Sequence, residues 1–427
     1  MLGERDLQAR ARRSRAGAPR PWRRALRAAE PVRRRARARP AGAPFLWRRP
    51  GQPRRARRRP RGRAPAERHS AHPHHVTEIA AATPIVDAQL GSLFTACVVR
   101  VEREGRREAL AAGTLCPDDR AGPDAPCTVD SVFDLASLTK LATTALLLWF
   151  VRERQLTLDT PLRELVPDFK GAGKDRVTLF RVLTHTAGLA WWKPLWREAK
   201  SAEEAVWLAA QEPLAQDIGT FTYSDLGYVM LTAGLAKVGG ASFADLMRER
   251  VLGAVEAETA DFGPRPREGC AATEDDREYR GRRLRGEVHD ENAFAMGGVA
   301  GHAGLFGTAA DVAALVRVFR DGAVVGNELA VLARTEHAVG ENARRGLGLA
   351  LRAPRDAMCG RYFSLDSYGH TGFTGTSVWV DPSQDLTVIV LTNRVYFGRA
   401  NDDAMYRFRI AVHEALSAPE NRATISA

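Results

Sequence analysis

Apolar and polar positions change period three times along this chain. Phe94 to Glu102 and Arg107 to Leu115 are β-rich runs joined by Arg103-Glu104-Gly105-Arg106, the pattern of a hairpin. Ahead of them Thr83 and Pro84 read as the cap and first residue of a short helix reaching about Leu90. A Pro/Asp-rich loop from Pro117 to Pro126 then leads through Val132 and Phe133 to Leu141–Arg152, an apolar run without Gly or Pro that predicts a buried helix. From 154 to 300 the period becomes helical, with Leu162 to Val166, Thr178 to Thr184, Ala202 to Gln211 and Leu226 to Lys237 separated by Gly and Pro.

A mixed pattern returns at Thr308, which caps a helix to about Phe319. Gly346 to Leu351 reads as a short strand, and Thr376 to Val380 and Leu386 to Thr392 as a hairpin across Asp381-Pro382-Ser383-Gln384. Asp402 to Leu416 closes the chain as a helix with Met405, Phe408, Val412 and Leu416 on one face. The pattern predicts an α+β fold: an antiparallel five-stranded sheet flanked by helices, its α/β part formed by 76–153 and 301–427, with a mostly helical part, 154–300, inserted.

Composition divides the chain differently. Of its 427 residues, 1–75 hold 24 Arg, no Lys, four acidic residues and 10 of the 23 prolines, for a net charge of +20, whereas 76–427 carry −8. The first segment has no apolar period with which to offset the entropy of ordering, so it is read as a disordered tail. Three readings of it stand: an arm that binds nucleic acid or an anionic membrane, a transit peptide, or a stretch upstream of the true start near Val76, the last being favoured. His69, His72, His74 and His75 are read as solvated rather than metal-binding. The tail lacks the apolar core of a secretory signal, which places the chain as written in the cytoplasm, with a periplasmic or organellar address left open. Cys97, Cys116, Cys127, Cys270 and Cys359 have no C-x-x-C spacing; a Cys116–Cys127 bridge is one option and free thiols the default.

The candidate chemistry starts at Phe133-Asp134-Leu135-Ala136-Ser137-Leu138-Thr139-Lys140. Ser137 and Lys140 are three residues apart at the start of a helix, so both point to one side, and the helix N-terminus favours a developing alkoxide. Only six of the chain's 63 basic residues are Lys. A Lys can act as a base when burial lowers its pKa, whereas an Arg does not deprotonate. The bland alternative is a surface helix start with a solvated Lys.

Further along come Phe221-Thr222-Tyr223-Ser224-Asp225 at a helix start, Thr184-His185-Thr186-Ala187-Gly188 where a glycine reads as a helix cap, the glycine-rich 297–306, and Tyr368-Gly369-His370-Thr371-Gly372-Phe373 before a strand. Taken in order, Ser-x-x-Lys, Tyr-Ser-Asp and His-Thr-Gly resemble the class C β-lactamase and low-molecular-weight penicillin-binding-protein family of serine hydrolases, which includes carboxylesterases. The resemblance implies a β-lactamase/transpeptidase-like fold and a metal-free serine acyl hydrolase with no cofactor. It casts Ser137 as nucleophile, Lys140 as its base and Tyr223 as proton shuttle. It places the oxyanion hole at the N–H groups of Ser137 and Phe373, the latter on an edge strand, and has Asp225, His370, Thr371 and Gly372 contact substrate.

Two departures, Asp225 for Asn and His370 for Lys, tilt the expected partner from β-lactams toward a small carboxylic ester. A D-Ala-D-Ala peptide or weak β-lactam hydrolysis is the alternative. From another class come an inactive protein that binds peptidoglycan or a partner, and nucleic-acid contact confined to the Arg-rich tail. A chain beginning at Val76 is expected to match the full chain in melting temperature and turnover; a loss of more than a few degrees, or of most activity, would refute the reading of 1–75.

Overall fold

A computed structural model describes residues 78–419 except 356, so the Arg-rich segment 1–75 lies outside the described residues. The large sheet has eight strands, numbered here β1 Ala96–Arg103, β2 Arg106–Gly113, β3 Ala338–Gly340, β4 Ala343–Arg345, β5 Ala350–Leu351, β6 Tyr368–Thr371, β7 Ser377–Asp381 and β8 Leu386–Thr392. They run antiparallel in the order β2-β1-β8-β7-β6-β5-β4-β3. The expected hairpins β1–β2 and β7–β8 are present, and they meet where Val99 pairs with Val390.

The expected count of five strands is therefore corrected to eight. The sequence conceals β3 and β4 because each is three residues long and carries Gly or Arg rather than alternating apolar positions. It conceals β6 because Tyr368-Gly369-His370-Thr371 is only four residues long, lacks apolar alternation and has a Gly inside it. What makes β6 a strand is tertiary. It is paired on both sides, by β5 and by β7, and a Cβ on Gly369 would lie 2.0 Å from the Val378 carbonyl oxygen.

Both faces of the central strands are covered. On one face helix α4, numbered with the other long helices and spanning Asp402–Ser417, sets Met405, Phe408, Val412 and Leu416 against Val99, Val101, Val388 and Val390, the face its spacing predicts. On the other lies α3, Ala309–Arg320, opened by a capping box between Thr308 and Asp311. Behind α3 packs α1, Thr139–Arg152, in which all but three residues are buried; a helix apolar all round belongs inside. The stretch 154–300 contributes α2, Leu226–Gly239, along with the shorter helices Leu162–Leu165, Leu179–Leu183 and Ala202–Gln211. All five cysteines are free and buried, so no Cys116–Cys127 bridge forms. No single helix among the described residues is long and apolar enough to cross a membrane.

Candidate active site

A small three-stranded sheet positions Ser137. Phe133–Asp134 pairs with Leu305–Gly307, and the chain then turns sharply: Ala136 has φ 46°, and Ala136–Leu138 forms one 3₁₀ turn before α1 begins. The left-handed region costs an alanine on the order of 1 kcal/mol or more, so something must hold it there. Asp134 does. Its buried carboxylate accepts the Ala136 N–H at 2.8 Å and the His289 N–H at 2.6 Å. Ser137 emerges half-buried at the head of α1, as its spacing predicts.

Lys140 is fully buried, and its ammonium meets three acceptors from three parts of the chain. Nζ donates to Ser137 Oγ at 2.9 Å and to the His302 carbonyl at 3.0 Å, and it lies 2.7 Å from Asp225 Oδ1. An ammonium has three N–H bonds; two go to Ser137 and His302, and the Asp225 carboxylate stands at ion-pair distance. Burial works to lower the Lys140 pKa, but the Asp225 carboxylate and then Tyr223 outweigh it and leave the group raised above its ordinary value. Where the sequence points to a lysine whose pKa burial lowers, the Asp225 carboxylate beside Nζ favours the charged form instead.

Tyr223 sits with its ring 5.1 Å from Lys140 Nζ. His185 builds the loop that carries it. His185 itself adopts the left-handed conformation, φ 56°, at the end of Leu179–Leu183, so the turn expected from Gly188 falls three residues earlier. Its carbonyl accepts Thr222 N–H at 2.9 Å, its Nδ1 accepts Ser224 N–H at 3.1 Å, and its ring lies 4.6 Å from that of Tyr223. Burial, with the charges of Arg345 and Lys140, holds the imidazole well below its usual range, so it stays neutral and can accept.

The third motif closes the site. Gly372–Thr376 is a turn between β6 and β7, so Phe373 lies in that turn and not on an edge strand. Gly372 is required by close approach: a Cβ would lie 2.1 Å from Thr376 Oγ1 and 2.7 Å from the Leu135 carbonyl. Thr374 and Thr376 hydroxyls donate to the Asp134 and Leu135 carbonyls at 2.7 and 3.1 Å, tying the turn to the backbone before Ser137. The Phe373 N–H has no hydrogen-bond acceptor among the described residues.

These groups open on a cavity of about 500 Å³ whose walls include Ser137, Tyr223, Asp225, Thr371, Gly372 and Phe373. His370 is not among them. It is 2% exposed, its Nδ1 faces the Thr371 carbonyl at 2.8 Å, and burial, then Lys140 and Arg345, push it down to about 3. Along a strand side chains alternate, so with Thr371 at the cavity its neighbour points into the interior. The expected substrate contact at His370 is corrected on that ground. Sequence reasoning missed Trp191, Trp192, Arg394, Arg399 and Arg409, which complete the cavity wall, and Arg345, whose guanidinium lies 5.5 Å from the Tyr223 ring. The only signal was the Trp-Trp pair following the His185 loop; the arginines have no motif among 57.

The β-lactamase family pattern matches residues 96–412. An N-acetylmuramyl-L-alanine amidase of Bacillus subtilis is 30% identical over 301 residues, 62% of this chain and 68% of its own length. A Salmonella agona protein provisionally named D-alanyl-D-alanine carboxypeptidase is 29% identical over 311 residues, 64% of this chain and 72% of its own. Among solved structures, EstCE1, a hydrolase with promiscuous acyltransferase activity, superposes with a TM-score of 0.65 at 20% identity, covering 80% of this chain and 99% of its own; at that identity the likeness is one of fold.

The buried neutral histidines set an acid sensitivity. His185 is held well below 6.5, His370 is pushed to about 3 and His413 to about 4, all chiefly by burial. Each stays unprotonated in the folded chain while the unfolded chain binds a proton, so the stability is present in full above pH 6.5 and lost as pH falls below it. At pH 5 the three together should draw about three protons on unfolding, a slope of roughly 4 kcal/mol per pH unit. Urea unfolding between pH 7 and 5 reads that slope, and His370→Gln should reduce it by about one proton; an unchanged slope would contradict a neutral His370.

Proposed function

The chain belongs to the β-lactamase family of serine hydrolases, and on that premise we propose that it hydrolyses small carboxylic esters through an acyl-enzyme on Ser137. Ser137 Oγ attacks the ester carbonyl carbon while its proton passes to the Tyr223 hydroxyl, which gives its own proton to the leaving alkoxide. The alcohol departs and the acyl group stays on Oγ. Water then attacks the acyl carbon, its proton returns to Oγ by the same hydroxyl, and the acid is released. Lys140, as an ammonium, offsets the negative charge that builds on Oγ, and the N–H groups of Ser137 and Phe373 receive the carbonyl oxygen.

The observation that carries the ester reading is the 2.7 Å pairing of Asp225 with Lys140. At that wall of the cavity an amide side chain would donate to the acylamido carbonyl of a peptide or β-lactam; a carboxylate has no proton to give and is already engaged. A simple ester has no such group to satisfy. The second reading, a D-alanyl-D-alanine carboxypeptidase or weak β-lactamase, is favoured by Arg394, Arg399 and Arg409 along the opposite wall, where a substrate carboxylate finds cations, and by the amidase and carboxypeptidase relatives.

Short-chain aryl esters, a chromogenic cephalosporin and a D-Ala-D-Ala peptide separate the two. Esters should give the highest specificity constants, and Ser137→Ala should abolish labelling by a fluorophosphonate. Asp225→Asn supplies the missing donor and is expected to raise acylamido substrates relative to esters about tenfold, the yield of one hydrogen bond of about 1.4 kcal/mol. A cephalosporin preferred by the wild type over every ester would overturn the proposal.

A further inference from the structure

Arg409 lies on the inner face of α4, only 8% exposed, and no carboxylate pairs with it among the described residues. Burying a guanidinium without an acid is costly: desolvation first, then the neighbouring charge of Arg394, push it down to about 9. Its Nη2 donates instead to two backbone carbonyls, Gly372 O and Thr376 O, each at 2.8 Å. These are the two ends of the turn that presents Phe373, and the Arg409 side chain reaches the cavity wall beside them. The next peptide of the turn is held in the same way, by Arg394 Nε on the Phe373 carbonyl at 2.6 Å, but Arg394 also pairs with Asp402.

A trans peptide fixes its N–H opposite its C=O. Whatever holds the Gly372 carbonyl therefore aims the Phe373 N–H, and a cation on that oxygen draws electron density through the amide and strengthens the N–H as a donor. We propose that Arg409 is the positioning residue of the oxyanion hole: from behind the turn it aims and polarises the Gly372–Phe373 peptide toward the tetrahedral oxyanion on the Ser137 adduct. The inference rests on the reading above that Phe373 N–H is an oxyanion donor.

A matched pair of aryl esters, one with C=O and one with C=S at the reacting carbon, tests it. Sulfur accepts N–H hydrogen bonds poorly, so a working oxyanion hole gives the wild type a preference for the oxygen ester, beyond the ratio of the two in hydroxide, of order 10²-fold, the range for one such donor. Arg409→Met should lower kcat for the oxygen ester about 10- to 100-fold, leave its KM within about twofold, and leave the thionoester nearly unchanged, so the preference collapses. Arg409→Lys, whose ammonium is a point charge without the planar fork, should restore part of it, and it carries the comparison by itself if the Met variant does not fold. A loss that falls equally on both esters, or a wild-type preference retained in both variants, overturns the role of Arg409. A wild type with no preference overturns the assignment of Phe373 itself.

Discussion

A buried ammonium is tolerable only when its donors are met, and in this protein the Lys140 ammonium is met by three segments far apart in sequence. Ser137 arrives on the turn into α1, Asp225 at the head of α2, and the His302 carbonyl on the glycine-rich loop before Leu305–Gly307. Removing one partner of a buried pair typically costs 3–5 kcal/mol, because the remaining charge is left stranded. The site is thus also a joint of the fold, linking the helical part to the sheet part through one nitrogen. The glycines around His302 follow from it: a Cβ on Gly301 would lie 2.5 Å from the Tyr228 carbonyl, so the backbone of this loop reaches α2 and α1 only without a side chain there.

The same charge arrangement explains why the second and third motifs depart from the family pattern. Asp225 balances Lys140 inside the site, and Arg345 and Lys140 together leave no room for a further cation at His370, which burial keeps neutral. Both departures thus bear on the charge around Lys140, Asp225 from the cavity side and His370 from the interior.

What the sequence made legible was local. Ser137 and Lys140 share a side because three residues on a helix do so in any protein, and the faces of α4 and the two long hairpins follow from period alone. The roles expected of Tyr223 and Phe373 came from the family resemblance. What escaped was set by tertiary contacts that local pattern does not encode: β6 is a strand because β5 and β7 flank it, His370 turns inward because Thr371 turns outward, and Arg409 of α4 meets the Gly372 carbonyl 37 positions before it. The charge state of Lys140 escaped for the same reason. Burial argued for a neutral amine, and the carboxylate that reverses the argument is 85 positions away.

The ties from Thr374 and Thr376 back to Asp134 and Leu135 span 240 and 241 positions. During synthesis Ser137 and Lys140 leave the ribosome long before the turn that completes their surroundings, and β8, which locks the first strand into the sheet, follows later still. Until those last elements arrive the cavity beside Ser137 lacks the wall that Thr371, Gly372 and Phe373 supply. The cavity is therefore completed from the C-terminal end, and a nascent or C-terminally cut chain carries Ser137 and Lys140 without the turn that faces them.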